Sequence, residues 1–528
     1  MNKREKIGFV LENCGCWIFG ILFFIILFLV LFAAQNTVYA YKAEFVLPNY
    51  AYLLLGLLMW TGIRVSEEYW PKGIKIYLKD HSEKLIRIFT ILFFGFLVYI
   101  VYNYYFITGW DAGLLIDTAY QISSGQSFDS STYESYYFSI YPNNILLIFI
   151  FSKIMKLESL FGILDAWTGI MGILTVQCFI SALTGFLVFK TARLWSGSLR
   201  LSWNTWGMYV LIIGVSPWVS IPYSDSMGLI FPVLFLYLYF LTQNGRWIWM
   251  KFLCMAAAAV LGYKIKPQLA IIAIAAVLIL CLNVLKGRRK KRNWKSGAGA
   301  LAGAVIMLLG CQLAVVSIPI ELDKEEAFGP AHFIMMGLNP DTNGGFLEDD
   351  VTYTYSQSAD ERTRADIEMI RKRLEDYGPA GLLEHLEKKL LSNYGDGTWA
   401  WGAEGAFYTE ILENKNQGMS PFLKSVYYYG EDRYTYFCSY SQMVWILLLA
   451  GCFLAFLFRK EDRGRKGFII MLSLVGLTLF ELIFEARARY LYCYVPLYLL
   501  LGSWGLEQFY QFMSCKIKGR MEHGKEEK

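Results

Sequence analysis

Residues 143–155 read NNILLIFIFSKIM, and the topology of the whole chain turns on whether this apolar run crosses a membrane. Thirteen helical residues reach about 20 Å, against roughly 30 Å of hydrocarbon. That length suits an interfacial or re-entrant segment better than a span. Longer apolar runs lie at about 17–34, 49–65, 87–106, 167–190, 202–220, 226–242, 248–263, 268–285, 296–318, 440–458, 467–484 and 490–508, which predicts an all-α polytopic membrane protein of about twelve transmembrane helices.

Charge decides between twelve spans and thirteen, because short cytoplasmic loops collect Lys and Arg. KTARLWSGSLR (190–200), KGRRKKRNWK (286–295), RKEDRGRK (459–466) and KIKGR (516–520) are all basic. Twelve spans with both termini cytoplasmic place all four inside. Counting 143–155 as a span puts every later loop on the wrong side, so it is expected along the outer face. Composition agrees: 56% of the 528 residues are hydrophobic and only 18% charged, against about a quarter in soluble domains. The opening MNKREKIGFVLENCGCWIFGILFFIILFLVLFAA resembles a secretory signal, but its apolar run is bilayer-length, so an uncleaved first helix of a multi-pass plasma-membrane protein is expected.

The expected organisation is an N-terminal hairpin and loop (1–86), a transmembrane core (87–318) with a large outer loop at 107–166, an acidic extracytoplasmic domain (319–438), C-terminal spans (439–510) and a charged cytoplasmic tail (511–528). The 319–438 segment holds 22 Asp and Glu against 11 Lys and Arg, which does not suit a cytoplasmic loop. Within it Ser358 and Glu361 form a capping-box pattern, Ile367, Ile370 and Leu374 recur at helical spacing, and Gly378-Pro379 ends the helix. A second amphipathic helix is expected at about 380–392. No internal repeat is visible, which weighs weakly against a secondary transporter.

Nine of the ten cysteines lie in or beside apolar spans, Cys438 being the exception, so no disulfide framework is indicated. The four histidines, His81, His332, His385 and His523, never stand at ligand spacing. They read as surface or packing residues, and no metal site is expected.

Five polar clusters fall on the expected outer face. Trp110 and Asp111 follow the third span, in GWDAGLLIDTAYQISSGQ (109–126), which also carries Asp117. SPWVSIPYSDS (216–226) carries Asp225, and YKIKPQ (263–268) carries Lys264 and Lys266. YGDGTWAWGAEG (394–405) offers Asp396, Trp399, Trp401 and Glu404 on a glycine frame. FEARARYLY (484–492) carries Glu485, Arg487, Arg489 and Tyr490. Taken singly, each has a plain reading as a helix cap, a snorkelling cation or an aromatic belt. Together they place cations at the outer ends of helices, where positive charge is depleted. Fixed cations suit a lipid-linked phosphate and the charge that develops as it leaves. A carboxylate opposite suits proton removal from a hydroxyl, and Trp and Tyr faces suit sugar rings.

Over roughly residues 87–508 this order resembles the GT-C superfamily of membrane glycosyltransferases, such as protein O-mannosyltransferases and the bacterial aminoarabinose transferases of lipid A. GWDAG stands where members carry a catalytic Asp, YPNNILLIFIF matches their proline-marked juxtamembrane segment, and PYSDS, LGYKIKPQ and FEARARYLYCYVPLYLLL match later motifs. The chain departs from the pattern in its additional hairpin (17–65) and in the position of the 319–438 segment between helices. The resemblance implies inverting, metal-independent transfer of a sugar, without a cofactor, from a polyprenyl-phosphate monosaccharide to a hydroxyl on an envelope glycan, a teichoic-acid-like polymer or a protein, outside the cytoplasmic membrane. Asp111 would be the base, with Asp117 second. Lys264, Lys266, Arg487 and Arg489 would hold the phosphate. Asp225, Glu485, Tyr490 and Trp110 would orient donor or acceptor, and Asp396, Trp399, Trp401 and Glu404 would form a sugar or acceptor loop. Membrane lipids are the other expected partners, with no nucleic acid. The rival readings are a transporter or flippase of lipid-linked sugars and a glycan polymerase or ligase.

Overall fold

A computed structural model describes residues 3–33, 42–162, 166–242, 247–287, 294–405, 408–411, 418–459 and 461–526. Among these, regular structure is helical apart from one short antiparallel pair, β1 (Phe106–Thr108) and β2 (Tyr408–Ile411), with Phe106 opposite Ile411. Eight described helices are long and apolar enough to cross a bilayer: Arg4–Phe32, Ser82–Asn103, Gly169–Ser196, Ser224–Leu241, Ile248–Ile265, Pro267–Leu285, Trp294–Val316 and Tyr434–Leu457. The other four expected spans are also helical, but each is short or carries charge. Asn49–Glu68 ends in Arg64, Glu67 and Glu68. Leu199–Ile213 has 15 residues, about 22 Å of helix. Gly467–Ile483 is apolar but falls short of span length, and Val495–Glu526 turns polar in its second half.

The 143–155 run folds as the Ile145–Ser159 helix. It is bent 99° from the preceding Tyr133–Ile140 helix. Pro142 supplies no N–H and pushes Tyr141 out of helical geometry (φ −118°, ψ 64°), which breaks the axis there. The folded-back helix buries Ile145, Leu147, Ile148, Phe151 and Met155 against the helices Asp111–Ser123 and Ala166–Ser196.

Tyr434–Leu457 and Val495–Glu526 pack closely, where small residues let the backbones touch. A Cβ on Gly505 would stand 1.9 Å from the Gly451 carbonyl oxygen. The N-terminal helices, expected as a separate hairpin, pack on this same C-terminal pair. Buried ion pairs fasten them: Arg64 Nε lies 2.7 Å from Glu507 of the C-terminal helix, and Glu12 pairs with Lys286 at the end of the Ile271–Leu285 helix.

The 319–438 segment begins as a helical layer. It comprises Pro330–Gly337, Glu348–Tyr355 and Ala359–Tyr394, the last broken at Gly378 (φ 55°) before Pro379. Ser358 Oγ donates to Glu361 at 2.9 Å, as the capping-box spacing predicts. Beyond Lys389 the chain plunges into the bundle. Tyr394 Oη bonds Thr478 (2.7 Å) and Tyr498 (2.9 Å), and the indoles of Trp445, Trp218 and Trp401 donate to the carbonyls of Tyr394, Thr398 and Tyr427. Asp396 is fully buried and accepts from Thr398 N, Thr398 Oγ1 and Ala400 N at 2.7–2.9 Å. The expected flexible glycine frame is therefore an internal plug, since all these polar atoms are paired and the rings have nowhere else to go.

Candidate functional site

Six charged side chains from four parts of the sequence form one alternating row. Lys266 pairs with Asp225, whose other oxygen lies 3.7 Å from Arg489. Arg489 Nε is 2.9 Å from Glu404, Glu404 is 3.0 Å from Arg487, and Arg487 Nε is 3.2 Å from Glu485. Tyr490 Oη closes the row on Glu485 at 3.2 Å. Asp225, Lys266, Glu404 and Arg489 are all buried. Unpaired charges at such depth would cost several kcal/mol each, so the row holds its own geometry through charge balance, three cations against three carboxylates.

Local structure explains how each member reaches the row. Lys266 precedes Pro267 and stands in extended backbone between two helices (φ −155°, ψ 119°), which frees its side chain from either helix surface. Asp225 lies in the first turn of a short helix entered from extended Tyr223. Arg487 is likewise extended, and Gln268 Nε2 holds the neighbouring Tyr490 carbonyl at 2.5 Å.

Asp111 stands beside this row but off it. It opens the Asp111–Ser123 helix, and Gly113 is required there, because a Cβ would meet the Thr108 carbonyl at 2.0 Å. Tyr223 Oη donates to Asp111 at 3.3 Å, and the Tyr137 hydroxyl also bonds the carboxylate. The adjacent Trp110 ring carries the Arg489 guanidinium 4.3 Å above it and meets Tyr223 edge-on at 4.8 Å. Lys266 Nζ lies 4.0 Å from the Tyr490 ring centre. Three buried donors here, Trp110 Nε1, Arg489 Nε and Arg489 Nη1, have no hydrogen-bond partner among the described residues, the guanidinium being held by its ion pairs to Asp225 and Glu404.

Of the residues singled out from sequence, the structure thus brings together Trp110, Asp111, Asp225, Lys266, Glu404, Glu485, Arg487, Arg489 and Tyr490. Lys264 is left out: it is exposed on the last turn of its helix, near Cys311. Asp117 is exposed six residues beyond Asp111, near Glu134. Asp396, Trp399 and Trp401 belong to the plug. Tyr137, Tyr223 and Gln268 join the site without having been singled out, although YYFSIYP, PYSDS and KPQ contain them. No group of His, Cys, Asp and Glu arranged to hold a metal ion occurs among the described residues.

A multi-pass chain whose described residues are helical apart from one short strand pair, with a buried, charge-balanced row at a helix mouth, is an integral membrane protein with a polar site. Residues 10–509 match the family described as conserved hypothetical integral membrane protein (CHIM_prot), and the chain belongs to that family. No curated protein and no solved structure matches it.

Proposed function

We propose that this protein is a glycosyltransferase of GT-C type, acting at the extracytoplasmic face on a polyprenyl-phosphate monosaccharide. The observation that carries the reading is the adjacency of a carboxylate outside the ion row, Asp111, to a buried guanidinium, Arg489, through Tyr223, whose hydroxyl donates to Asp111 and whose ring centre lies 5.3 Å from that guanidinium. Asp111 takes the proton of the acceptor hydroxyl as its oxygen attacks the anomeric carbon. The bond from that carbon to the phosphate oxygen breaks, and its electron pair leaves with the lipid phosphate. Arg489 and Lys266 meet the developing charge. Their carboxylate partners keep them fixed beforehand, so little reorganisation is needed during the reaction.

The neutrality of the row bears on donor binding. An anion adds to it only where donors remain, which favours contact at Arg489 Nη1 and Trp110 Nε1 over wholesale displacement of Asp225 or Glu404. Lys264 stands outside the row, and its exposed ammonium suits lipid head groups. Sidedness is supported by the long helix Pro267–Leu285, which carries Lys266 before one end and Lys286 of the basic 286–295 loop after the other.

The test is consumption of polyprenyl-phosphate monosaccharides by the full chain in lipid nanodiscs, with envelope extract as acceptor. Turnover of one donor that disappears in Asp111→Asn and survives chelator is the expected result. Absence of turnover, with lipid-linked sugar crossing the bilayer equally in both proteins, refutes the reading in favour of a transporter.

A further inference from the structure

A run of tyrosine rings leads away from Asp111. Tyr137, bonded to the Asp111 carboxylate, lies 5.1 Å from Tyr141 and 6.3 Å from Tyr133; Tyr133 lies 6.2 Å from Tyr136, and Tyr136 lies 5.0 Å edge-on from Tyr355 of the 319–438 segment. The outer members show their faces to solvent: Tyr133 is 63% exposed, Tyr136 38% and Tyr355 39%. Three of the five come from one helix, Tyr133–Ile140, whose i, i+3 and i+4 spacing aligns them on one side.

The charges acting on the Tyr133 and Tyr136 phenols are negative. Asp111, Glu348 and Glu134 all act on the Tyr133 phenol, and Glu348 and Glu326 act on Tyr136. No Lys or Arg occurs between Trp110 and Ser152. Arg362, 5.3 Å from the Tyr355 ring, is paired with Glu326. Elsewhere in the 319–438 segment Lys388 pairs with Glu384 at 2.8 Å and Lys389 with three backbone carbonyls.

We infer that the tyrosine run is the platform along which the acceptor reaches Asp111, and that this acceptor is a carbohydrate chain bearing no negative charge. The inference rests on the proposed transferase reading for the role of Asp111. Aromatic faces stack on the apolar faces of pyranose rings, and the surrounding carboxylates repel phosphate- or uronate-bearing chains.

The experiment measures binding of two probes, a neutral chito-oligosaccharide and an anionic oligogalacturonate, to the full chain in nanodiscs without donor. Wild type is compared with Tyr133→Ser/Tyr136→Ser and with Tyr133→Phe/Tyr136→Phe, which keeps the rings. The expected result is binding of the neutral chain alone, at least tenfold weaker in the serine variant and retained in the phenylalanine variant. Equal binding of the anionic chain, unchanged binding in the serine variant, or no binding of either overturns the inference. Donor turnover is followed in the same nanodiscs. Turnover that needs Asp111 while acceptor KM ignores the tyrosines removes this platform and leaves the transferase. Glycan binding that needs the tyrosines without any donor consumption does the reverse.

Discussion

Lys389 has no exposed surface, yet its ammonium is fully matched: its three donors meet the carbonyls of Gly337 (2.7 Å), Leu482 (2.9 Å) and Phe484 (2.8 Å). It joins the 319–438 segment to the loop that carries Glu485, Arg487 and Arg489. Lys389→Met keeps the stem and removes the donors. The Gly337 carbonyl keeps its second partner, His385 Nε2 at 3.0 Å, so the loss falls on two carbonyls. Each orphaned acceptor costs about 1–3 kcal/mol. Burial already pulls the Lys389 ammonium down to about 8, so relief of that buried charge, worth about 3 kcal/mol, offsets much of the loss and leaves a net destabilisation of no more than about 3 kcal/mol. The loop is tied down beside this point by Ala486 N donating to Gly344 O at 2.8 Å. Hydrogen exchange is the assay: at about 1.36 kcal/mol per decade, protection of the Ala486 amide falls by up to about 150-fold. Unchanged protection of Ala486 and Tyr490, with an unchanged melting temperature, would show that the three-carbonyl clamp does not hold the loop.

Three further outcomes follow from the same packing. Lys266→Met leaves Asp225 with only the distant Arg489, so a loss of about 3–5 kcal/mol and of donor turnover is expected, whereas Lys264→Met shifts stability by no more than about 0.5 kcal/mol; paired melting curves and turnover assays decide it. Trp401 is fully buried with its indole on the Tyr427 carbonyl, so Trp401→Ala costs about 3–5 kcal/mol, and a melting temperature equal to wild type would place it on a surface instead. His332 is buried, with Nδ1 2.7 Å from Thr354 Oγ1 and Nε2 unpartnered, and burial holds it down to about 4. The unfolded chain takes up this proton near 6.5, so it binds more protons than the folded chain between pH 6.5 and 4. Stability is therefore full above 6.5 and falls by about 3 kcal/mol as the pH drops to 4. His332→Gln flattens that slope in denaturation curves, and an unaltered slope would exclude His332 as its source.

Much of the fold was legible because the signals are local. Apolar length marks the eight long helices, proline and glycine mark the breaks at Pro142 and Gly378-Pro379, and Ser358 with Glu361 marks a helix start. The site was partly legible: nine of the singled-out residues converge, because charge at apolar helix ends is rare enough to stand out. What misled was the 394–405 stretch. Glycine and tryptophan in alternation read equally as a flexible binding loop and as a plug, and only the partners of Tyr394, Asp396 and Trp401 separate the two.

The sequence by itself determined that the chain is helical, apolar and many times membrane-length, since hydrophobic burial and backbone satisfaction act through neighbours along the chain. Tertiary structure alone decided that Lys266 belongs to the ion row while Lys264 does not, and that Asp111 stands outside it, held by the Tyr223 hydroxyl. It also turned Lys389 into a clamp. Charge pairing depends on which atoms from distant segments come within a few ångströms of each other, and neither helical period nor composition carries that information.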